Sequence, residues 1–428
     1  MPPNAYDMIK QHPLIILSPV KKDKLETLDK RLRVIRENLQ QGTETEFKNV
    51  STLHYGRWVI LRRESFRDEP AVPVGIRLIF STNFDGNKDN HLTELVTKLV
   101  KYIDDIYECC EGYPESGART TESRKGYLKK YMVRTSAFFN GAPGRSVKQI
   151  HQEESLRGYI WNYIKNNKWN EKITAVEIHK DIKKEIDSSP EFEWSKQKAS
   201  VQGIKWFNVI SYGLLFIVAI PFIIIWALYL FIFHELWNKK ETLTLSQLDD
   251  KKVNELKKVE DLFPQNQFTQ VAVLKPGFVR NLNFRIWMLR TSVLASNVFV
   301  HGKLLNIPTI HFARWVLFDN NKHVLFFSNF DGNWQQYLGD FIDQSGWGLT
   351  GIFSNTVNFP KTRFMITGGA YDEEHFLAWS RSTQVPTQVW YCPYPHLSIK
   401  NINNNTKIRN ELRQDLNEEQ ARIFLKRF

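Results

Sequence analysis

The chain has 428 residues, carries a formal net charge of +12, and is 42% hydrophobic and 13% aromatic, so a globular protein of two or three packed domains is expected. The basic balance favours an anionic neighbour. Its lysines are spread along solvated helices and no nucleic-acid-binding motif accompanies them, so a membrane surface fits better than nucleic acid. Three cysteines, two adjacent (Cys109, Cys110) and one distant (Cys392), form neither a disulfide framework nor a zinc site, and a reducing compartment is expected.

In chain order, the short apolar run Leu14 to Leu17 reads as a first strand, being too short for the core of a signal peptide. Leu25, Leu28, Leu32, Ile35 and Leu39 then fall at helical spacing and predict an amphipathic helix over 23–40. Strands are expected at 53–62 and 76–82, a helix over 88–107 and a fourth strand at 132–139. Past the middle of the chain the order returns, with a strand at 271–274, a helix over 279–298, strands at 309–318 and 323–328, a helix from 334 and a strand at 387–392.

This return is a duplication. His54, Arg57 and Trp58 answer His311, Arg314 and Trp315, and Asn83-Phe84-Asp85-Gly86-Asn87 answers Asn329-Phe330-Asp331-Gly332-Asn333. A third block carries Val133, Thr135, Phe138 and Phe139 onto Val385, Thr387, Trp390 and Tyr391. Three blocks, each in its own phase and rich in aromatic matches, are hard to reach by chance. The order β-α-β-β-α-β in each copy is that of a ferredoxin-like unit.

Between the copies Trp206 to Phe233 runs 28 residues without a charge, long enough for a membrane segment. Lys205, Lys239 and Lys240 bracket it, and Trp206, Trp226, Tyr229 and Trp237 include interfacial anchors. Pro221 at its centre suggests a re-entrant hairpin, which keeps both copies on one side of the bilayer; a single span is the alternative. The expected division is a first repeat over 1–160, a charged helical linker over 161–205, the membrane segment over 206–236, a charged linker over 237–267 and a second repeat over 268–428. A membrane-associated protein with its repeats on the cytoplasmic side follows.

Strand alternation puts His311, Ala313 and Trp315 on one face of their strand, as it does His54, Gly56 and Trp58, leaving room beside a histidine for a planar ligand. The plainer alternative is a histidine at the start of a strand, satisfied by backbone groups. Arg57 and Arg314 point the other way, towards Asp85 and Asp331 as ion-pair partners. Asn87 and Asn333 read as helix N-caps, with Gly86 and Gly332 supplying the turn. The segment from Gly368 to Trp379 occurs only in the second copy and offers His375 as a ligand outside the repeat.

The duplicated order resembles the dimeric α+β barrel superfamily over most of residues 13–160 and 268–415. The implied fold is α+β, with two ferredoxin-like β-α-β-β-α-β repeats forming a pseudo-dimeric α+β barrel and a hydrophobic membrane segment inserted between them. Within that superfamily, Ser328-Asn329-Phe330-Asp331-Gly332 resembles the Gly-x-x-Asp-Gly motif of dye-decolourising peroxidases, although Ser328 stands where the family has its first glycine and the family's haem-ligating histidine motif has no counterpart. The resemblance implies haem as cofactor, with Asp331, Arg314 and His311 as catalytic residues. His311, His54, Trp315 and His375 then become cofactor contacts, and His375 or His311 the iron ligand. Two functions are expected from this reading: a haem-dependent, peroxidase-like oxidoreductase acting on an apolar small molecule reached from the bilayer, or a non-catalytic membrane-bound module that binds lipid or a partner protein.

Overall fold

The computed structural model describes residues 9–62, 75–170, 172–197, 199, 203–236, 243–299, 303–304 and 306–428. Trp237, Lys239 and Lys240, named above as flanks of the membrane segment, lie outside the described residues. The fold is mixed α+β with antiparallel sheets. Its first half runs β1 (Gln11–Pro19), α1 (Leu25–Gln40), β2 (Leu53–Leu61), β3 (Arg77–Asp85), α2 (Lys88–Lys98), α3 (Val100–Tyr107), α4 (Thr121–Lys130), β4 (Ala137–Asn140) and α5 (Val147–Asn166). Then come α6 (Ala175–Ser188), α7 (Trp206–Leu230) and α8 (Asp250–Lys257). The second half runs β5 (Gln265–Val273), α9 (Phe278–Asn297), β6 (Ile310–Phe318), β7 (His323–Asp331), α10 (Trp334–Phe353), a hairpin of β8 (Thr362–Arg363) and β9 (Thr367–Gly368), α11 (Glu373–Thr383), β10 (Val389–Tyr391), α12 (Ile399–Leu412) and α13 (Glu418–Leu425).

Helix α1 buries Leu28, Leu32 and Ile35, the stripe that its spacing predicts. The helix expected over 88–107 is two, because Leu99 leaves helical geometry at φ −111°, ψ 27°. Leu99 is itself fully buried, so the apolar stripe continues across the break. Strand β5 starts several residues earlier than its apolar run suggests, since Gln265, Asn266 and Gln267 are polar yet pair with Asp331, Phe330 and Asn329 of β7.

The sheets are ordered β1-β3-β2-β10 and β4-β6-β7-β5, so each half receives its fourth strand from the other. Two self-contained four-stranded units, as the repeated order suggests, are therefore not what forms. The segment expected as one strand at 132–139 divides its pairing. Val133 N–H donates to the Ile15 carbonyl on the β1 edge of its own sheet, and Ser136 N–H then donates to Trp315 of the other sheet. From there β4 pairs with β6, Ala137 opposite Trp315 and Phe139 opposite Ala313. The second copy mirrors this: Val385 N–H donates to Thr269, Gln388 N–H to Trp58, and Val389 and Tyr391 lie opposite Trp58 and Gly56. The exchange follows from backbone satisfaction, because β2 and β6 are buried along nearly their whole length and cannot leave an edge unpaired.

The sheets also meet face to face. Ile15, Leu17, Val59, Leu61 and Ile79 pack with Val271, Val273, Val316, Phe318, Leu325 and Phe327. Into this apolar layer each half sends one arginine. Arg57 is 1% exposed and donates to the Phe268 carbonyl (2.9 Å), Thr269 Oγ1 (3.0 Å), the Ser328 carbonyl (3.0 Å) and Asn329 Oδ1 (2.5 Å). Arg314, equally buried, donates to the Leu14 carbonyl (3.2 Å), the Thr82 carbonyl (2.8 Å) and Asn83 Oδ1 (2.5 Å). Phe268 and Leu14, Ser328 and Thr82, and Asn329 and Asn83 are equivalent positions, so the two clamps are reciprocal. Burial pushes the Arg57 guanidinium down to about 9, and burial together with the Arg57 charge pushes Arg314 down as well.

Helix α7 has no turn at Pro221, which corrects the hairpin: the helix is continuous from Trp206 to Leu230 and ends in a π-helical turn, Phe231–Glu235. A proline inside a helix removes one backbone hydrogen bond, a cost of about 3 kcal/mol that a long helix absorbs without ending. It lies antiparallel along α9. Asn208 Nδ2 donates to Asn297 Oδ1 (2.8 Å), Arg290 sits 5.8 Å from the Phe216 ring centre, Trp226 Nε1 donates to Asn283 Oδ1 (3.0 Å), and Arg280 Nη2 donates to the His234 carbonyl (2.8 Å). Within α7 only Leu230 is buried, and Phe207 is 82% and Phe222 72% exposed.

The arginine clamps generate a stability prediction. Arg314→Ala removes three buried hydrogen bonds between the sheets and leaves Asn83 Oδ1 without its donor, so it should cost on the order of 3 kcal/mol, read as a lowered urea midpoint. Arg314→Lys should not restore it, because an ammonium cannot span the fork. A midpoint within error of wild type for the alanine variant removes the clamp from the account of how the sheets are joined.

Candidate functional site

The repeated histidines owe their position to a β-bulge. In β2 the register passes from Leu53 opposite Phe84 to Tyr55 opposite Asn83, leaving His54 as the extra residue; in β6 it passes from Ile310 opposite Phe330 to Phe312 opposite Asn329, leaving His311. A bulge re-aims the side chain beyond it and breaks the alternation. Trp58 and Trp315 accordingly join the cores beneath the helices, Trp58 stacked on Phe80 at 4.4 Å and Trp315 tilted against Phe326 at 4.8 Å. The two histidines instead face a common cavity with Phe312 and Tyr394. The face of histidine, small residue and tryptophan expected from strand alternation is not formed.

Each histidine meets the aspartate of its own half. His54 Nε2 is 2.9 Å from Asp85 Oδ1, and His311 Nε2 is 2.7 Å from Asp331 Oδ1. The second carboxylate oxygen of each aspartate accepts from the first residue of a helix: Asp85 Oδ2 from Val147 N–H of α5 and Asp331 Oδ2 from Ile399 N–H of α12, both at 2.8 Å. An ionised carboxylate suits that place, since a helix start presents free N–H groups and the positive end of its dipole. For Asp85 burial pushes the pKa up, but His54, the Val147 N–H and Gln11 outweigh it, and the net direction is down. The arginines take no part, so the expected Arg314–Asp331 and Arg57–Asp85 pairs do not exist. Every acceptor of Arg57 and Arg314 is a neutral oxygen.

The halves differ around this latch. His54 Nδ1 lies 2.5 Å from the Tyr394 hydroxyl, whose position in the first half is taken by Ala142. With Asp85 ionised, His54 donates through Nε2 and accepts from Tyr394 through Nδ1. Burial holds the Tyr394 phenol well above its ordinary range, so it remains the donor. Gln11 Nε2 adds 2.8 Å to Asp85 Oδ1, whereas its counterpart Gln265 donates to the Tyr394 carbonyl and accepts from the Tyr55 hydroxyl at 2.6 Å. Gly141 shows how tightly the strands are drawn together here: a Cβ on it would stand 2.1 Å from the Ile310 carbonyl oxygen.

Haem does not fit this arrangement. The cavity between the histidines holds about 10 Å³, roughly one water. His54 has both ring nitrogens engaged, and Nε2 of His311 is held by Asp331. His375 lies elsewhere, on α11, where its Nδ1 is 2.7 Å from Asp372 in its own helix start. Among the described residues no group of three His, Cys, Asp or Glu side chains is placed to hold a metal ion. Of the predicted site residues, then, His54, His311 and Asp331 come together, while Arg314, Trp315 and His375 serve an intersheet clamp, a core and a helix start. The arrangement fixes the N-termini of α5 and α12 to the sheet ends.

Two expectations hold in detail. Asn87 caps α2 by accepting from Asp89 and Asn90 N–H, and Asn333 caps α10 by accepting from Gln336 N–H. Gly86 and Gly332 make the turns at φ 78° and 87°. Sequence reasoning missed Asn83, Asn329, Tyr394 and Gln11. The two asparagines stand inside the repeated block and were legible as repeated polar residues on a buried strand, whereas Tyr394 breaks the repeat and left no such signal.

Comparisons with protein-family models, with curated proteins and with solved structures return no match.

The latch predicts a pH dependence. A carboxylate whose folded pKa is depressed contributes stability above its unfolded pKa, near 4, and that stability fades as pH falls through the lower folded value. Asp85→Asn should therefore be less stable than wild type at pH 7, with the difference narrowing below about pH 4. Urea midpoints measured from pH 7 to pH 3 check it, and a difference that stays constant with pH counts against an ionised Asp85.

Proposed function

We propose that this is a monotopic membrane protein in which a duplicated α+β body rests on one leaflet through α7 and serves as a non-catalytic, lipid-binding module. In this reading the two ferredoxin-like halves exchange fourth strands to close a pseudo-dimeric α+β barrel, and the histidine latches belong to its frame. The observation that carries the proposal is α7: apolar around its circumference, almost wholly exposed, and tied at both ends to the same body. At 1.5 Å per residue Trp206–Glu235 runs about 45 Å, more than the roughly 30 Å of a hydrocarbon core, so what favours one leaflet is that the body follows the helix along its length. Here Asn208 near one end and His234 near the other both contact α9, which itself packs on the second sheet through Phe284 and Met288.

Neighbouring surface supports the same plane. Phe278, Ile286 and Leu289 of α9 are exposed, as are Phe364 and Ile366 at the tip of the β8–β9 hairpin. Apolar surface of this extent is far beyond what a soluble monomer tolerates. The net charge of +12 suits an anionic leaflet, as on the cytoplasmic side of a membrane. The redox reading loses its footing, since nothing around His54 and His311 receives a haem.

Flotation on phosphatidylcholine vesicles tests the proposal. Wild type should float, a variant with 206–236 replaced by a flexible linker should remain in the soluble fraction while keeping its far-UV circular dichroism, and tags at residues 1 and 428 should be equally open to protease in sealed vesicles. Protection of one tag alone establishes a spanning helix and overturns the monotopic reading.

A further inference from the structure

At the C-terminal end of α7 a cleft of about 1000 Å³ opens between the helix and the β8–β9 hairpin. Its lining has a plain division of labour. Phe231, Leu236 and Phe364 supply an apolar wall, and Lys275, Arg280, Lys361 and Arg363 supply four cations against one carboxylate, Glu235.

Glu235 Oε1 accepts from Met365 N–H at 3.0 Å and from the Thr362 hydroxyl, pinning the hairpin to the π-helical turn, while its Oε2 is buried with no hydrogen-bond partner among the described residues. The Phe231 and Phe364 rings stack above it at 4.3 Å. The hairpin tip is strained, with Phe364 and Met365 in the left-handed region at φ 54° and 59°. It is held there because Met365 is buried, its sulfur 3.6 Å from both Arg280 Nη1 and Asn283 Nδ2. Backbone strain that the surroundings maintain points to a surface shaped for use.

Arg280 is the key group. It is 4% exposed, donates to the His234 carbonyl and the Met365 sulfur, and has no carboxylate within ion-pair distance among the described residues. Burial weakens its hold on its proton, and Glu235 only partly restores it. A desolvated guanidinium on the inner wall of a cleft with three further cations is the arrangement that favours a phosphate.

We propose that this cleft takes the phosphate of an anionic phospholipid, with Arg280 and Lys275 at its inner side, Lys361 and Arg363 at its mouth, and the acyl chains running along Phe231, Leu236 and Phe364 onto α7. The apolar wall, continuous with the membrane helix, is what selects a lipid over a free phosphate compound. The proposal rests on the membrane reading of α7 and adds a preferred lipid class to it.

The test compares vesicles of pure phosphatidylcholine with vesicles in which one fifth of the lipid is phosphatidic acid. The full chain is used, with Lys361→Gln/Arg363→Gln as the variant because both side chains are exposed and outside the latches. Wild type should prefer the anionic vesicles. Each basic side chain near an anionic surface contributes about fivefold, so the double variant should lose roughly 25-fold of that preference while still floating on phosphatidylcholine. Native mass spectrometry of detergent-released protein should find one phosphatidic acid retained by wild type and none by the variant. Failure to float on phosphatidylcholine overturns the membrane reading itself. Flotation without anionic preference, or a variant that keeps it, overturns the headgroup site alone. Displacement of the retained lipid by millimolar glycerol phosphate assigns the cleft to a soluble phosphate compound and overturns the lipid as its source.

Discussion

Two buried guanidiniums, each reaching from one sheet into the backbone of the other, are the constraint on which the rest of the molecule depends. Arg57 and Arg314 are each 1% exposed and hold strand carbonyls and an asparagine of the opposite half. A buried cation with no carboxylate is costly unless every donor finds an oxygen. Strand carbonyls already used in a ladder still have a second lone pair to give. The sheets must therefore approach in one register, with Phe327 lying between the two charges at 5.3 and 5.7 Å. Since the arginines take neutral acceptors, Asp85 and Asp331 are left free to hold the histidines and the starts of α5 and α12.

This explains the repeated block Asn-Phe-Asp-Gly-Asn residue by residue. Its first asparagine receives the arginine of the other half, its phenylalanine enters the core, its aspartate latches a histidine and a helix, its glycine turns the chain, and its last asparagine caps the next helix. The block and the helix stripes were legible because they are periodic or repeated. The pairing of Arg314 with Asn83 was not, because it joins the first half to the second and no local pattern carries that information. The histidine face was misread for a different reason. A single bulged residue shifts alternation by one, and nothing in His54-Tyr55-Gly56 or His311-Phe312-Ala313 marks where the extra residue falls.

The two halves differ most where α7 lies. Helices α1 and α9 occupy the same place in the repeat, yet the exposed positions of α1 include Lys30, Arg33 and Glu37, while those of α9 include Phe278, Ile286 and Leu289. The β8–β9 hairpin belongs to the second half, and Glu235 ties it to the end of α7, whereas α11, which leads into Val385, has a counterpart in α4, which leads into Val133. One half thus keeps a solvated outer face and the other presents an apolar one. The joined pair of sheets supplies the rigidity, and one outer layer supplies the apolar surface.

Topology then limits how such a chain can sit on a bilayer. Strand β4 comes before α7 and pairs in the sheet made mostly from residues that follow it, and β10 comes after α7 and pairs in the sheet made mostly from residues that precede it. A bilayer passing between the halves would have to break both exchanged strands, both arginine clamps and the apolar layer between the sheets. Each of these is buried, and each is made from both halves, so none survives partial separation. The chains that precede and follow α7 are thus knit into one body by strand pairings far from the helix itself.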